Sequence, residues 1–426
     1  MEDIVTGTCV RFAKHCFLLA LILGLCLPAR PAAAGGGKTV NTADDADDGV
    51  CDETHCSLRE ALNFANASPG SDYISFQIPG DGVHEILLTS PLPPIASGPT
   101  IDGETQPGYA GVPLIVLRGG PGVDVGLHLD GGDITVRGLS LVGFGPVDPN
   151  QVSPFAGSGI RVTASGNNRI EHNYIGLLPS GEPVPNGIGV LLEANAASII
   201  DNVISANFTG ISISGGGQHT IQGNRIGTDP SGSTAAAPQP CGICIHGGAD
   251  SVLIGGSEPG QGNLISGNGL GIYVADGADT RILGNYIGTD ASGMLAIPNS
   301  IGIEISGTNT LVGLLDPAGR NLVSGNERGI GITSSAHYAS VSLNWIGTDA
   351  TGTGTLPNSV EGIYINSVAM EDTIIQFNLI QGNGGHGIAL GGNADNVNIY
   401  SNTIRENGGD GIGPSPPRAS TTITSA

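Results

Sequence analysis

Charge is scarce in this chain, and aromatic residues are scarcer. Of 426 residues, 12% are charged and 4% are aromatic, with 1 Trp and 3 Met. Basic residues number 15 against 38 acidic ones, for a net charge of −23. So few Lys and Arg exclude a nucleic-acid-binding surface, because phosphate contacts need clustered cations. The same imbalance repels other polyanions unless a cation mediates. Long apolar runs are missing, apart from Phe17 to Leu27 (FLLALILGLCL), which is too short to span a membrane. No phosphate-binding Gly loop, Ser-His-Asp order or metal-spaced His cluster stands out. A collagen-like period is absent as well.

What the chain has is glycine: 71 Gly and 27 Pro, alongside 39% hydrophobic residues. The hydrophobic share argues against disorder, and Gly at this density penalises helix interiors. A turn-rich β architecture remains. At the N-terminus, Arg11 and Lys14 precede the apolar run and Ala32, Ala33 and Ala34 follow it. This order is that of a secretory signal peptide over 1–34, so the mature protein is expected to be secreted, extracellular or at the cell surface, with no transmembrane segment after signal removal. Cys9, Cys16 and Cys26 leave with that segment. Cys51, Cys56, Cys241 and Cys244 remain, an even set that favours disulfides in an exported chain. A local Cys51–Cys56 bridge is expected. Cys241 and Cys244 form a CxxC, either a bridge or two free thiols, and zinc would need two more ligands.

Residues 35–70 read as a cap. The acidic string Asp44, Asp45, Asp47, Asp48 fails as an EF-hand, since Ala46 takes the third ligand position and His55 the twelfth, so a solvated loop is expected. Ser57-Leu58-Arg59-Glu60 is a capping box that opens a short helix with Leu58, Ala61, Leu62 and Ala65 on one face. From 71 onward no helix pattern is visible. Two Asn motifs alternate instead. One is Asn173-Tyr-Ile-Gly, Asn224-Arg-Ile-Gly-Thr-Asp, Asn285-Tyr-Ile-Gly-Thr-Asp and Asn344-Trp-Ile-Gly-Thr-Asp. The other is Asn202-Val-Ile-Ser, Asn263-Leu-Ile-Ser, Asn321-Leu-Val-Ser and Asn378-Leu-Ile-Gln, with Asn402-Thr-Ile closing the series. Gaps from the second motif to the first are 22, 22, 23 and 24 residues. The return gaps are longer and hold the Thr-Asp loops. A Gly-Ile-x-Ile element recurs between the anchors. No unit buries its own apolar face, so the units must stack, with the repeated Asn bonding up the stack at a turn. The spacing predicts a parallel β-helix over 71–413 and not a propeller, whose blades run to about 40–45 residues. Residues 414–426 are a Pro/Ser/Thr-rich tail or linker. No capping element follows Asn407, so a partner molecule or a further domain is expected at that end.

Val40-Asn41-Thr42 through Asp48-Gly49-Val50-Cys51, with Cys56-Ser57-Leu58-Arg59-Glu60-Ala61, resembles the CSLREA N-terminal region of exported bacterial proteins. Ile101-Asp102-Gly103, Gln106-Pro107-Gly108 and the Asn-x-Ile-Gly-Thr-Asp repeats are similar to its usual neighbour, a helix of the pectate-lyase-like superfamily. The resemblance covers roughly 38–413. It implies an all-β fold, a single-stranded right-handed parallel β-helix (solenoid) with a short N-terminal capping helix. It implies export, but no single activity.

Three sets of residues are candidates for function. With both Ile of Gly-Ile-x-Ile inward, x forms an outward column of Gly189, Ser212, Cys244, Tyr273, Glu304, Gly331, Tyr364, Ala389 and Gly413. Tyr273 and Tyr364 near Glu304 offer a sugar-binding face, or an ordinary outer surface. The residue before each Gly gives Arg328, Glu361, His386 and Asp410 on four successive coils, expected on a rim because burial of charge is costly. Glu361 and Asp410, about 9.6 Å apart by strand spacing, stand at the upper edge for inverting glycoside hydrolysis, and His386 between them suits a lyase base. The alternative is a salt-bridged rim. Asp229, Asp290 and Asp349 of the Thr-Asp loops are candidate calcium ligands, or plain turn residues. None of the repeats shows clustered Asp with Lys or Arg resembling a pectate lyase calcium site. The sequence therefore supports an exported β-helix that binds and, if an enzyme, cleaves polysaccharide as a lyase or glycoside hydrolase. The alternative is a non-catalytic adhesion or stalk protein.

Overall fold

A computed structural model describes residues 36–414, apart from Pro69, Ser71, residues 146–156, 334–335 and 368–371, and positions 393 and 395. The expected signal peptide lies outside the described residues, as does the tail beyond Pro414. The chain is a right-handed parallel β-helix with one short helix at its start. Three parallel sheets of 13, 12 and 11 strands run along it. One coil supplies, for example, Arg281–Leu283 to the 13-stranded sheet, Tyr286–Ile287 to the 12-stranded sheet and Ile301–Ile305 to the 11-stranded sheet.

The interior is built from columns of β-branched residues, which suit a pleated surface. Ile254, Ile282 and Val312 stack in the first sheet, Ile265, Ile287 and Val323 in the second, and Ile272, Ile303 and Ile330 in the third. All are fully buried. The N-terminal end is closed by the helix Leu58–Ala67. Ser57 caps it, and Glu60 completes the capping box. Leu58, Ala61, Leu62 and Ala65 join the core, as their spacing requires. No helix among the described residues is long and apolar enough to cross a membrane.

The expected Cys51–Cys56 bridge is present, and Cys241 and Cys244, open in the sequence between a bridge and free thiols, are bonded as well. The acidic string departs from expectation: it is not simply a solvated loop. Arg59 holds Asp45 at 2.8 Å with the carboxylate 4% exposed, and Thr89 donates to it as well. His55 lies 3.1 Å from Asp44 and 3.1 Å from the buried Glu60. Burial opposes a proton on His55, but the bond to Asp44 and the charges of Glu60, Asp44 and Asp48 outweigh it and raise its pKa.

Two amide ladders fix the corners. The two alternating Asn motifs form one continuous column, Asn173, Asn202, Asn224, Asn263, Asn285, Asn321, Asn344, Asn378 and Asn402. Each side-chain amide donates to the next Oδ1 at 2.9–3.1 Å. Each Oδ1 also accepts the preceding Asn backbone N–H, as at Asn263 to Asn285 (3.0 Å). A second ladder runs at the next corner through Asn268, Asn299, Asn326, Asn358, Asn383 and Asn407. Gln239 stands in for Asn where this ladder passes from Asn207 to Asn268. The sequence signal for it, an Asn three or four residues before each recurring Gly, is visible but was not read as a ladder.

Two predictions follow from this frame. Asn285→Ala would strand the Asn263 backbone N–H and remove one bond each from the Asn263 amide and from the carbonyls of Ile254 and Leu283. The stranded N–H alone costs about 1–3 kcal/mol. Asn402→Ala, in the last and half-buried rung, should cost less; thermal unfolding of both variants checks the order. His219 is buried at the third corner, where its Nδ1 accepts the Ala197 N–H at 3.2 Å. Burial lowers its pKa to about 4. The unfolded chain therefore binds the proton first, at a pKa of about 6.5. The contribution is complete above that pH and is lost as pH falls toward 4, up to about 3 kcal/mol in all. His219→Gln should flatten the pH dependence of melting over that window.

Candidate functional site

The 12-stranded sheet has two residues per strand in most coils, one inward and one outward. The inward one is Ile or Val. The outward column reads Arg225, Leu264, Tyr286, Leu322 and Trp345 on successive strands. These are the variable positions of the Asn motifs, so the aromatic ones recur every second coil.

Insertions at the two flanking corners turn this column into the floor of a groove. In uninserted coils the first corner is a single residue in the left-handed region, such as Asp201, Leu343 or Phe377 directly before a ladder Asn. Before Asn263 and Asn321 the chain instead makes the loops 256–262 and 314–320. At the second corner the Thr-Asp loops branch off after Gly227, Gly288 and Gly347, all with φ near +90°. Each is closed by an antiparallel bridge, such as Thr289 to Ala296. The Ser of the other Asn motif explains the alternation. Buried Ser266 donates to the Thr289 carbonyl at 2.7 Å and accepts the Gly288 N–H at 3.1 Å, so each short coil anchors the loop of the next. Ser205 does the same for Thr228.

The loops then lean over the floor. Gly293 lies against Tyr286 and Leu322, where a Cβ would stand 2.9 Å from each, and Gly232 lies against Leu264. What stays open is a groove of about 430 Å³ lined by Arg225, Glu258, Leu264, Tyr286 and Arg320. It meets a smaller hollow of about 160 Å³, where Tyr286 and Arg320 adjoin Trp345. The Arg320 guanidinium stacks 4.3 Å from the centre of the Trp345 ring, and its Nε donates to the Leu343 carbonyl at 3.2 Å. Burial pulls the Arg320 pKa down.

Of the three sets singled out in the sequence, two lie elsewhere, on and beside the 11-stranded sheet. Tyr273 and Glu304 are register neighbours, with Tyr364 two strands beyond Glu304. Gly189 is not in that column. It aligns with the corner glycines, and Leu191 takes the outward place beside Ser212, because this strand begins one alternation earlier. Arg328, Glu361, His386 and Asp410 do come together on successive coils, but they are not a uniformly exposed rim. The side chain of Glu361 is 5% exposed and paired with Arg328 at 2.9 Å. Arg328 also lies 4.4 Å over the Tyr364 ring. The His386 Nδ1 accepts the backbone N–H of exposed Asp410 at 2.9 Å.

Asp229, Asp290 and Asp349 face their own loops. The Asp290 carboxylate accepts Ser292, the Met294 N–H and the Leu295 N–H at 2.7–3.0 Å. Burial raises its pKa, but these bonds outweigh it and hold the group low. Among the described residues, the one group of three side chains placed to share a metal ion is Asp48, His55 and Glu60, with ligand atoms within 4.8 Å of one another. Glu60 is already committed there, accepting the Asp48 and Ser57 N–H groups at 2.8 Å each.

One ionic cluster was not foreseen. Asp102, Arg137 and Glu171 are register neighbours on the 13-stranded sheet. Arg137 contacts Asp102 at 2.5 Å and Glu171 at 3.7 Å, and the Tyr73 hydroxyl donates to Asp102. Burial raises the Asp102 pKa, but the Arg137 and Tyr73 bonds outweigh it. Nearby, burial and then the Glu104 charge push the Tyr109 phenol up to about 12. Asp102 also caps the short turn Gly103–Thr105, and Gln106 pairs both ways with the Ile78 backbone at 2.9 Å. These roles account structurally for both short motifs of that region.

No protein-family model and no curated protein sequence matches this chain. Among solved structures it is similar to the Dettilon tailspike protein, with a TM-score of 0.50 and 14% identity over 84% of this chain and 64% of that one. It is also similar to the enzymatically active domain of bacteriophage CBA120 tailspike protein 2 (TM-score 0.49, 11% identity, 79% of this chain and 47% of that one). A third is the A-module of an Azotobacter vinelandii mannuronan C-5 epimerase (0.40, 12%, 86% and 95%). The first of these likenesses supports the β-helix fold and nothing finer. The chain spans less than two thirds of either tailspike's length.

The Arg328–Glu361 pair yields a test of its own. Arg328→Met would leave the buried Glu361 carboxylate without its cation, which typically costs about 3–5 kcal/mol. Replacing both, Arg328→Met with Glu361→Leu, should recover most of that loss. Hydrogen exchange of the strands Ile363–Ser367 and Ile388–Gly392 reads both variants.

Proposed function

We propose that this chain is an exported, extracellular or cell-surface β-helix protein that binds polysaccharide along the groove over the 12-stranded sheet. The observation that carries this reading is the aromatic pair Tyr286 and Trp345, two strands apart on the groove floor. Two strand spacings are about 9.6 Å, a length that a disaccharide spans. An aromatic ring at each end offers apolar surface to sugar rings, and Arg320, stacked on Trp345, offers fixed donors beside it. Export is supported by the two disulfides, which persist in oxidising compartments.

Recognition is better supported than cleavage. Glu361 is engaged with Arg328, and the His386 Nδ1 with a backbone N–H. Neither group is poised toward an open sugar site with a second carboxylate opposite it. The adhesion or stalk reading uses the same groove without turnover. Calcium held by Asp229, Asp290 and Asp349 remains a separate proposal; because their own loops already occupy these carboxylates, a chelator is expected to leave binding unchanged. A partner at the C-terminal end is supported by Ile399 and Ile404, which are half-buried where Ile375 and Ile380 are fully buried one coil earlier.

The test is a panel of neutral and anionic polysaccharides, with bound polymer and new reducing ends recorded together. Trp345→Ala and Tyr286→Ala should each weaken binding about two- to tenfold, the scale of one aromatic contact. Binding unchanged in both variants, or no binding to any polymer, would remove this reading. New reducing ends would turn it into an enzyme.

A further inference from the structure

We infer that the groove takes a negatively charged glycan directly, through Arg225 and Arg320, with no bridging cation. This deepens the polysaccharide reading and rests on it.

Basic residues are few, 15 in the whole chain, and those with a carboxylate partner among the described residues are six. Arg59, Arg118, Arg137, Arg161, Arg169 and Arg328 each pair with a carboxylate. Among the described residues no carboxylate lies within 4.0 Å of Arg225 or Arg320, and both line the groove. Lys38, Arg281 and Arg405 also lack a carboxylate partner among the described residues, but of these five cations Arg225 and Arg320 are the two that line the groove.

Arg320 is also set apart from an ordinary surface arginine. It is half-buried, its guanidinium is held flat on Trp345 at 4.3 Å, and one bond to the Leu343 carbonyl fixes its direction. Its remaining N–H donors form a planar fork, the geometry that matches a carboxylate or sulfate. Partial burial without a counter-charge is unfavourable for the free protein, and an anionic ligand relieves it. Arg225 stands four strands earlier in the same column as Trp345, roughly 15–20 Å along the axis. Two cations at that separation, the exposed Arg225 and the held Arg320, suit charges repeated along a polymer rather than one small anion. Glu258 on the wall between them excludes a continuous negative density and favours a chain whose charges are spaced. The general repulsion between an acidic protein and a polyanion is screened beyond about 8 Å at physiological salt, so the local pair of arginines decides the contact.

The experiment measures binding of the whole mature protein to polygalacturonate and chondroitin sulfate, once with calcium and once in chelator. Carboxyl-reduced polygalacturonate, chondroitin that is both desulfated and carboxyl-reduced, and dextran serve as neutral arms. The expected result is at least tenfold tighter binding of one charged polymer than of its neutral counterpart, falling as salt rises. Arg320→Gln and Arg225→Gln should each cut that preference about tenfold, the loss of one charge-assisted hydrogen bond. Unchanged melting temperatures would show that the variants fold. Equal binding of charged and neutral forms, or a preference indifferent to both substitutions, overturns the inference while the groove reading stands. A preference that disappears in chelator overturns it in favour of a bridging cation. No binding to any polymer overturns both.

Discussion

A parallel β-helix must turn its chain three times per coil without leaving backbone groups unpaired, and here two of those turns are solved by amides. An Asn side chain carries one acceptor and two donors in a plane, so it can bond upward, downward and to its own coil at once. A buried donor or acceptor left alone in this interior would be expensive. The two ladders therefore do more than decorate the corners. They set the register of each strand with the next, and that register decides which side chains face the interior and which face solvent.

With the corners fixed, variation is confined to what can be inserted beside them. The Thr-Asp loops and the loops 256–262 and 314–320 leave the ladders intact, since the chain returns each time to a ladder amide such as Asn263, Asn299 or Asn321. Both kinds of insertion flank the same sheet. The groove is thus a product of two tolerated departures from the minimal coil, facing each other across a floor that the repeat itself supplies. Across the Thr-Asp corner lies the 11-stranded sheet. Its Arg328, Glu361 and Tyr364 satisfy one another.

Much of this was legible in the sequence, and the reasons are specific. The Asn motifs and their spacing revealed the coil because a stacked repeat must reuse the same corner residue. The capping box at Ser57 and Glu60 and the Cys51–Cys56 pair are local features, readable without tertiary structure. The groove was not read, although Tyr286 and Trp345 lay inside the quoted motifs. A two-residue strand has no alternation to show which way its first residue points, and the walls come from loops that only the fold brings alongside. Attention went to the Gly-Ile-x-Ile strands, where alternation is plain. Even there Gly189 was misplaced, because its strand carries a second glycine and so two possible frames. The burial of Glu361 could not be read either, since it depends on Arg328 reaching back from the previous coil.

The Thr-Asp loops stack on one another across an intervening coil: Ala291 donates to the Gly232 carbonyl at 2.9 Å, and Ala350 to the Gly293 carbonyl at 3.0 Å. This gives the protein a second, coarser pitch, twice that of its backbone. A chain lengthened or shortened by a single coil would place a Ser-bearing coil beside another of its kind, leaving one loop without an anchor and the outer stack out of phase from there to the end. Gain or loss of two coils, close to sixty residues, preserves both pitches. The heritable unit of this architecture is accordingly the pair, and the length of its binding surface is quantised in that step.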